Sequence, residues 1–417
     1  MRPFPPGKGT PIPGWLPCSR KAFRTSPTGA AAMSDRPTVA IWKSFLLPGS
    51  ETFVRNQANA LSRYRPTFLG AVKAQSAVAV DTDTIAYGTV PRDQISFRLF
   101  RLTGRSRRIK KLLAEMKPAL VHAHFGHEGW LISRAAASIS VPLVVTLHGH
   151  DVTAAPSAPG IPGARARWKL RTAFDRAAVV IAVSDFIRQR AIELGADPRK
   201  VLVHHIGVPI PPKSPPMAKE WDVVFVGRFT EKKGINDLVE ALATLKTALN
   251  PRCLFIGTGP LSEQVRDSAV RLGLDATFVG TQPPDVVRRY MATSKVLAAP
   301  SKTAPNGDSE GLPMILPESA AVNVPSVATR HSGIPDAVVH EETGLLCDEG
   351  DVASLARNIR SLLEDDVLRV RLGDQARQRV ELEFDITKQT AALEEIYDSV
   401  VRRNLMSPRT ARGSAWD

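Results

Sequence analysis

The sequence predicts an α/β fold of two doubly wound, Rossmann-like domains that face a central cleft. Three observations predict it. Short apolar, strand-like runs alternate with helix-like segments along most of the chain, the pattern of a parallel sheet covered on both faces. The length of 417 residues exceeds one ordinary core and suits two domains of roughly 150–200 residues. The alternation breaks once, where Pro209, Pro211, Pro212, Pro215 and Pro216 crowd together, and then restarts. Such a run is a stiff linker.

The elements follow in order. Residues 1–32 hold Arg2, Lys8, Arg20, Lys21 and Arg24 but no acid, and many prolines. They lack the apolar run of a signal peptide and are expected to be a disordered tail, or sequence upstream of a start at Met33. The first domain is expected over 33–208. It opens with a strand at 38–46, a turn at Pro48-Gly49-Ser50 and a helix at 51–61, the opening of a Rossmann-like unit. Further strands are expected at 66–72, 120–124, 143–147, 177–183 and 201–205. Helices are expected between them at 128–138, 165–175 and 185–194, the last capped by Ser184.

After the linker (209–220) a second domain is expected over 221–383. Its strands read at 222–226, 253–256, 277–280, 296–299, 326–328 and 344–347. Its helices read at 236–249, 261–272, 284–293, 314–322, 352–363 and 368–381. A last helix at 384–403 carries Leu393, Ile396, Tyr397, Val400 and Val401 on one apolar face. Residues 404–417 form a basic tail.

Charge and cysteine content narrow the class. The net charge of +14 lies partly in the tails. A second concentration, Arg98, Arg101, Arg105, Arg107, Arg108, Lys110 and Lys111, has no acid between Asp93 and Glu115. Phe97, Leu99, Phe100, Leu102, Ile109, Leu112 and Leu113 are interleaved with it. Such a segment reads as a basic amphipathic helix suited to an anionic membrane surface; a solvated helix face is the plainer reading. Nucleic acid is not expected as a partner, because no stacking or zinc-finger motif accompanies the charge. Cys18, Cys253 and Cys347 lie far apart, against a disulfide framework and for a reducing compartment. No apolar run approaches the ~20 residues that span a bilayer.

Ligands of doubly wound sheets bind beyond the strand C-termini, and the residues suited to chemistry fall there. The stretch 310–318 holds two carboxylates, Glu310 and Glu318, around an apolar interior. Gly311 allows close backbone approach, and Pro313 suits a first helical turn. A helix start there would aim free N–H groups at an anion. Helix punctuation is the competing reading. Arg228 and Lys233 stand in a loop after the first strand of the second domain. A guanidinium fork and a compact ammonium can together neutralise a diphosphate leaving group. Gly257-Thr258-Gly259 resembles a dinucleotide fingerprint, but Ser262 replaces its third glycine, so a tight turn near a nucleotide is expected. His122, His124, His127, His148 and His150 admit a metal site, but no carboxylate or cysteine completes a tetrahedral set; no metal is expected. His148 ends a strand at Gly149, where a cleft residue would stand.

Taken together, Gly227-Arg228, Lys233-Gly234, Gly257-Thr258-Gly259-Pro260-Leu261, Glu310-Gly311-Leu312-Pro313 with Glu318, Gly333-Ile334-Pro335 and Glu342-Thr343-Gly344 resemble glycosyltransferase family 4. These are retaining, nucleotide-sugar-dependent enzymes of the GT-B fold. Ser50-Glu51-Thr52-Phe53 and His148-Gly149-His150-Asp151 are similar to members that build bacterial surface glycans. The resemblance covers 33–402. It implies that Arg228 and Lys233 hold the donor diphosphate, with Gly257 in the donor site. It implies Glu310 at the sugar, with backbone N–H groups from Gly311 and Leu312, and Glu318 at the ribose. His148 would lie at the reacting centre, and Gly49 and Ser50 in a loop near the phosphates or acceptor. The last helix would cross back onto the first domain. No cofactor or divalent cation is implied.

The function expected is transfer of a sugar from a nucleotide-sugar donor to a glycan or polyprenyl-linked acceptor. The place expected is the cytoplasm, with peripheral contact to the inner face of the membrane. A sugar-nucleotide isomerase on the same fold, converting donor without acceptor, is the alternative. A non-catalytic module binding through the basic face is a third reading, but it has no use for paired glutamates and cleft cations.

Overall fold

The computed structural model describes residues 36–76, 78–213 and 217–406. The terminal tails, Cys18, Pro215, Pro216, Arg409 and Arg412 lie outside the described residues.

In the first half, strand β1 (Thr38–Leu46) leads through a 3-10 turn (Gly49–Glu51) into helix α1 (Thr52–Asn59). Strands β2 (Arg65–Lys73) and β3 (Thr84–Ile85) precede α2 (Pro91–Thr103) and α3 (Arg107–Met116). Then follow β4 (Leu120–His124), α4 (Gly126–Ser138), β5 (Leu143–Leu147), α5 (Ala154–Ser157) and α6 (Gly160–Arg176). Strand β6 (Val179–Ala182), α7 (Asp185–Glu193) and β7 (Val201–Val203) complete it. The second half runs β8 (Trp221–Val226), α8 (Ile235–Leu245), β9 (Cys253–Ile256), α9 (Ser262–Arg271), β10 (Ala276–Gly280), α10 (Pro284–Ala292) and β11 (Ser294–Ala299). It continues α11 (Ile315–Ala320), β12 (Ser326–Thr329), α12 (Ile334–Ala337), β13 (Gly344–Cys347), α13 (Val352–Glu364), α14 (Asp366–Glu383) and α15 (Ile386–Met406).

Among the described residues the strands form two parallel sheets, ordered β3-β2-β1-β4-β5-β6-β7 and β10-β9-β8-β11-β12-β13. Each reverses direction beside its own first strand, between β1 and β4 and between β8 and β11. That is where doubly wound sheets open a crevice. The two-residue period of a strand sorts each side chain to one face. Ala40 and Trp42 join one core cluster of the first sheet, Val39 and Ile41 the other. Val223 and Phe225 of β8 likewise part from Val224. Both faces of each sheet are therefore dry.

Helix α15 covers a face of the first sheet. Its Leu393, Tyr397 and Val400 pack with Val39 and Ile41, and the Tyr397 hydroxyl lies 2.6 Å from His122 Nδ1. Near the linker, Val208 N donates to Phe384 O at 2.7 Å and Ile386 N donates back to Val208 O at 3.0 Å. An added Cβ on Gly207 would lie 2.4 Å from Ile386 Cα, so only glycine permits this approach.

Two expectations need correction. The basic segment is two helices, not one. Gly104 takes a left-handed conformation (φ 65°) and closes α2, and Ser106 caps α3 by accepting from Ile109 N. Most of its apolar residues also face inward: Phe97, Phe100, Ile109 and Leu113 are buried, while Leu99 and Leu102 stay exposed. The helix expected at 314–322 spans Ile315–Ala320. Pro317 sits in its first turn, where its missing N–H has no helical partner to lose.

Candidate active site

The site forms where loops after β8 and β11 meet loops after β1, β4, β5 and β6. Gly234, left-handed at φ 61°, ends a 3-10 turn over Glu231–Lys233. An added Cβ there would lie 1.8 Å from Pro300 O, so glycine lets this turn seat against the end of β11. Lys233 Nζ thereby reaches 2.9 Å from Glu310 Oε1. The contact is an ion pair whose angle is not that of a hydrogen bond. Glu310 is 7% exposed. Burial pushes its pKa up, but Lys233 and Lys232 outweigh that and hold it below the ordinary value. Glu310 is therefore a charged carboxylate inside the protein, not a solvated helix-start charge.

Arg228 is exposed and makes no ion pair among the described residues. Gly257 (φ 130°) lies against the same loop; an added Cβ would stand 1.9 Å from Gly227 O. The Gly257–Gly259 turn is thus a backbone-on-backbone seat for the Arg228 loop. Glu318, on α11, carries a pKa pushed up to about 7 by burial, with Arg288 the opposing influence. The N–H groups of Gly311 and Leu312 donate to no group among the described residues.

Glu310 is held from behind by residues that sequence reasoning missed. Its N–H donates to His331 Nε2 at 3.1 Å. That fixes the tautomer, because Nε2 must be bare and Nδ1 must carry the proton. Nδ1 lies 2.6 Å from Glu349 Oε1, and Glu349 Oε2 accepts from Thr303 N at 2.7 Å. One carboxylate after β13 therefore ties down both ends of the 303–310 loop.

On the facing side, β5 delivers His148. Its Nε2 lies 3.1 Å from His124 Nδ1, and its ring is 4.5 Å from Phe125 and 5.0 Å from Phe53. Burial first, then Lys43 and His122, holds its pKa well below the ordinary value, so the imidazole is neutral. Asp151 fixes the turn, accepting from Gly149 N at 2.9 Å and Gly126 N at 2.8 Å. Gly49 sits in the 3-10 turn ahead of Phe53, and an added Cβ there would meet open space; Ser50 occupies the same turn. Lys43, in mid-strand β1, pairs with Glu51 at 2.9 Å and lies 4.0 Å over the Phe125 ring. A lysine within an apolar strand was the signal available for it.

His122 commits both ring nitrogens, to Tyr397 at 2.6 Å and Thr146 at 2.7 Å. Among the described residues no three His, Cys, Asp or Glu side chains are placed to hold a metal ion.

The two halves touch across the cleft. Ser184 Oγ donates to Gly311 O at 2.9 Å, Asp185 N to Asp336 Oδ2 at 2.9 Å and Ser309 N to Thr153 Oγ1 at 3.3 Å. Glycine makes the contact possible: an added Cβ on Gly311 would lie 1.9 Å from His148 O, and on Gly333 2.0 Å from Gly311 O. His148 and the Lys233–Glu310 pair are thereby brought to one place.

A family model described as Glycosyltransferase Family 4 matches residues 48–210, and one described as Glycosyl transferases group 1 matches 209–379. The chain belongs to glycosyltransferase family 4. This family 4 member is 32% identical over 234 residues to the putative colanic acid biosynthesis glycosyltransferase WcaL of Escherichia coli (strain K12), covering 53% of this chain and 57% of that one. It is 31% identical over 276 residues to the amylovoran biosynthesis glycosyltransferase AmsK of Erwinia amylovora, covering 63% and 65%. The match thus spans less than two thirds of either relative. Among solved structures, Anabaena HepE in complex with UDP superposes with a TM-score of 0.71 at 20% identity, covering 87% of this chain and 100% of that one. Sucrose-phosphate synthase from Thermosynechococcus elongatus gives 0.72 at 19%, covering 88% and 100%. The chain has the GT-B fold.

Proposed function

We propose that the protein is a retaining glycosyltransferase that moves a sugar from a nucleotide-sugar donor to a glycan or lipid-linked acceptor in surface polysaccharide biosynthesis. The observation that carries the reading is the pairing of half-buried Lys233 with buried Glu310, lying against the His148 turn. Two relatives named for polysaccharide biosynthesis support the pathway class. HepE, solved with UDP and with UDP-glucose, supports a nucleoside diphosphate sugar as donor.

Arg228 and Lys233 hold the donor diphosphate, beside the Gly257 turn. As the bond from the anomeric carbon to the phosphate oxygen breaks, negative charge grows on the leaving diphosphate, and the two cations meet it. They supply the charge that a metal ion could otherwise supply, so the reading assigns a metal no role. The acceptor hydroxyl attacks from the same face, its oxygen bonding to the anomeric carbon. Its proton passes to the departing phosphate oxygen, and configuration is retained. Glu310 and the Gly311 and Leu312 amides hold the sugar hydroxyls, and Glu318 accepts from the ribose. Neutral His148 borders the sugar and can donate or accept a hydrogen bond without adding charge. Gly49 and Ser50 belong to a loop near the phosphates or the acceptor.

Peripheral membrane contact is the finer part of the proposal. Arg98, Arg101, Arg105, Arg107, Lys110 and Lys111 are exposed on α2, α3 and the turn between them, with Ile95 and Leu99, a mixed basic and apolar surface suited to anionic lipid. Among the described residues no helix is long and apolar enough to cross a membrane.

The test is release of nucleoside diphosphate from a panel of nucleotide-sugars with glycan or lipid-linked acceptors. Turnover should fall about a hundredfold or more in Lys233→Ala and in Glu310→Ala. Undiminished turnover in either variant would remove the site assignment, and conversion of donor without any acceptor would remove transfer itself.

A further inference from the structure

A second group of cations lies on the first domain, outside the donor machinery, where α2, α4 and α6 converge. Its floor is Trp130, which is 3% exposed. Lys169 Nζ stands 4.2 Å above the Trp130 ring, and Trp168 meets that ring edge-on at 5.9 Å. His127 stacks on it at 5.8 Å. Arg165 Nη2 donates to Leu102 O at 3.3 Å, joining α6 to α2. Arg101 lies 5.6 Å over Phe45 and 5.8 Å over Phe97.

Among the described residues, Arg101, Arg165 and Lys169 form no ion pair. The field they make is felt by their neighbours. Burial first, then Lys169, Arg101, Lys43 and Arg165, takes His127 down to about 4, with no acid opposing. Burial, then Arg165 and Arg101, takes Lys169 down to about 8. Like charges gathered without a counter-charge are unfavourable unless an anion joins them. Apolar surface adjoins the cations. Ile161, Arg165 and Trp168 share one face of α6 by their spacing, with Ile161 83% and Trp168 54% exposed. Leu99 and Leu102 of α2 are 57% and 55% exposed. The place borders the reacting centre, since His127 is two residues beyond Phe125, whose ring is 4.5 Å from that of His148.

We propose that Arg101, Arg165 and Lys169 bind the phosphate or diphosphate head of an amphiphilic acceptor, whose apolar chain runs over Leu99, Leu102, Ile161 and Trp168. The inference deepens the transfer reading and rests on it for the word acceptor. A guanidinium pair forks onto phosphate oxygens, the aromatic floor excludes water, and the apolar helix faces receive the chain. The head would be held on the acceptor side.

The probe is farnesyl diphosphate, titrated calorimetrically into the full chain without donor, with inorganic diphosphate, farnesol and phosphatidylglycerol vesicles as separate arms. Farnesyl diphosphate should bind, and Arg165→Ala/Lys169→Ala should weaken it about tenfold or more for each cation lost. Trp168→Ala should weaken farnesyl diphosphate while sparing inorganic diphosphate. Equal affinity in the double variant overturns the site, as does farnesol binding as tightly as its diphosphate. Vesicle binding reduced as much as farnesyl diphosphate binding also overturns it, since the cations would then be a general bilayer contact. The rise in melting temperature given by a nucleotide-sugar checks that each variant is folded; Arg101→Ala, at an exposed position, serves if the double variant is not. Because the probe arm uses no donor, a wild type that binds farnesyl diphosphate but no nucleotide-sugar would sink the transfer reading and leave the anion site standing.

Discussion

Replacing Glu318 with Gln should stabilise the protein at alkaline pH and weaken its hold on donor. Burial lifts the carboxyl from 4.5 to about 7, with Arg288 only partly opposing it. The folded state therefore keeps this proton to higher pH than the unfolded chain does. Below about pH 4.5 both states are protonated and the carboxyl costs nothing. The penalty grows as pH rises, because the unfolded chain ionises first, and is complete above about pH 7. The span from 4.5 to about 7, at about 1.4 kcal/mol per tenfold change in proton affinity, amounts to about 3 kcal/mol. Glu318→Gln removes that term. Its stability relative to wild type, measured by urea unfolding, should rise by up to about 3 kcal/mol between about pH 4 and pH 8. Donor affinity should fall about ten- to a hundredfold at pH 8, the worth of a hydrogen bond to a charged group. A stability difference that ignores pH would refute the raised, titrating carboxylate. Unchanged donor affinity would refute the ribose clamp.

Two further outcomes are expected. Gly311→Ala would set a methyl group 1.9 Å from His148 O, so the cleft loops must part. Turnover should fall about a hundredfold, the scale of an ångström's misplacement, while circular dichroism stays native; full turnover would show that loop contact is not needed. Glu349→Gln keeps the shape but loosens the charged tie to His331 Nδ1. Its kcat should drop about tenfold, the scale of one charge-assisted hydrogen bond, with a smaller change in the donor KM; an effect on KM alone would place Glu349 in binding rather than in positioning Glu310.

Much of the fold, and the strand ends at which the candidate residues fall, could be read from the sequence, because they depend on local periodicity and punctuation. The apolar runs became the strands of two parallel sheets, and Arg228, Lys233, Glu310 and His148 all lie in loops at strand C-termini. The division of the basic segment was legible too, in Gly104 and Ser106, but the continuous charge around them obscured it. Other features were not legible. His331 and Glu349 are separated by a strand, and nothing local distinguishes them from surface residues; only the approach of the β12 and β13 loops makes them a support for Glu310. Lys43 breaks an apolar pattern, yet its partner Glu51 lies beyond a turn.

The sequence alone determined the two-domain α/β architecture and the kinds of residue at each strand end, since side-chain period and turn chemistry act over a few neighbours. The tertiary structure decided the rest. It paired Lys233 with Glu310, buried the carboxylate, and set the pair against His148. It also set Lys169 of α6 over Trp130 and tied Arg165 to the end of α2. These outcomes depend on which surfaces lose water together, and burial and charge interaction over a few ångströms are properties of the packed chain.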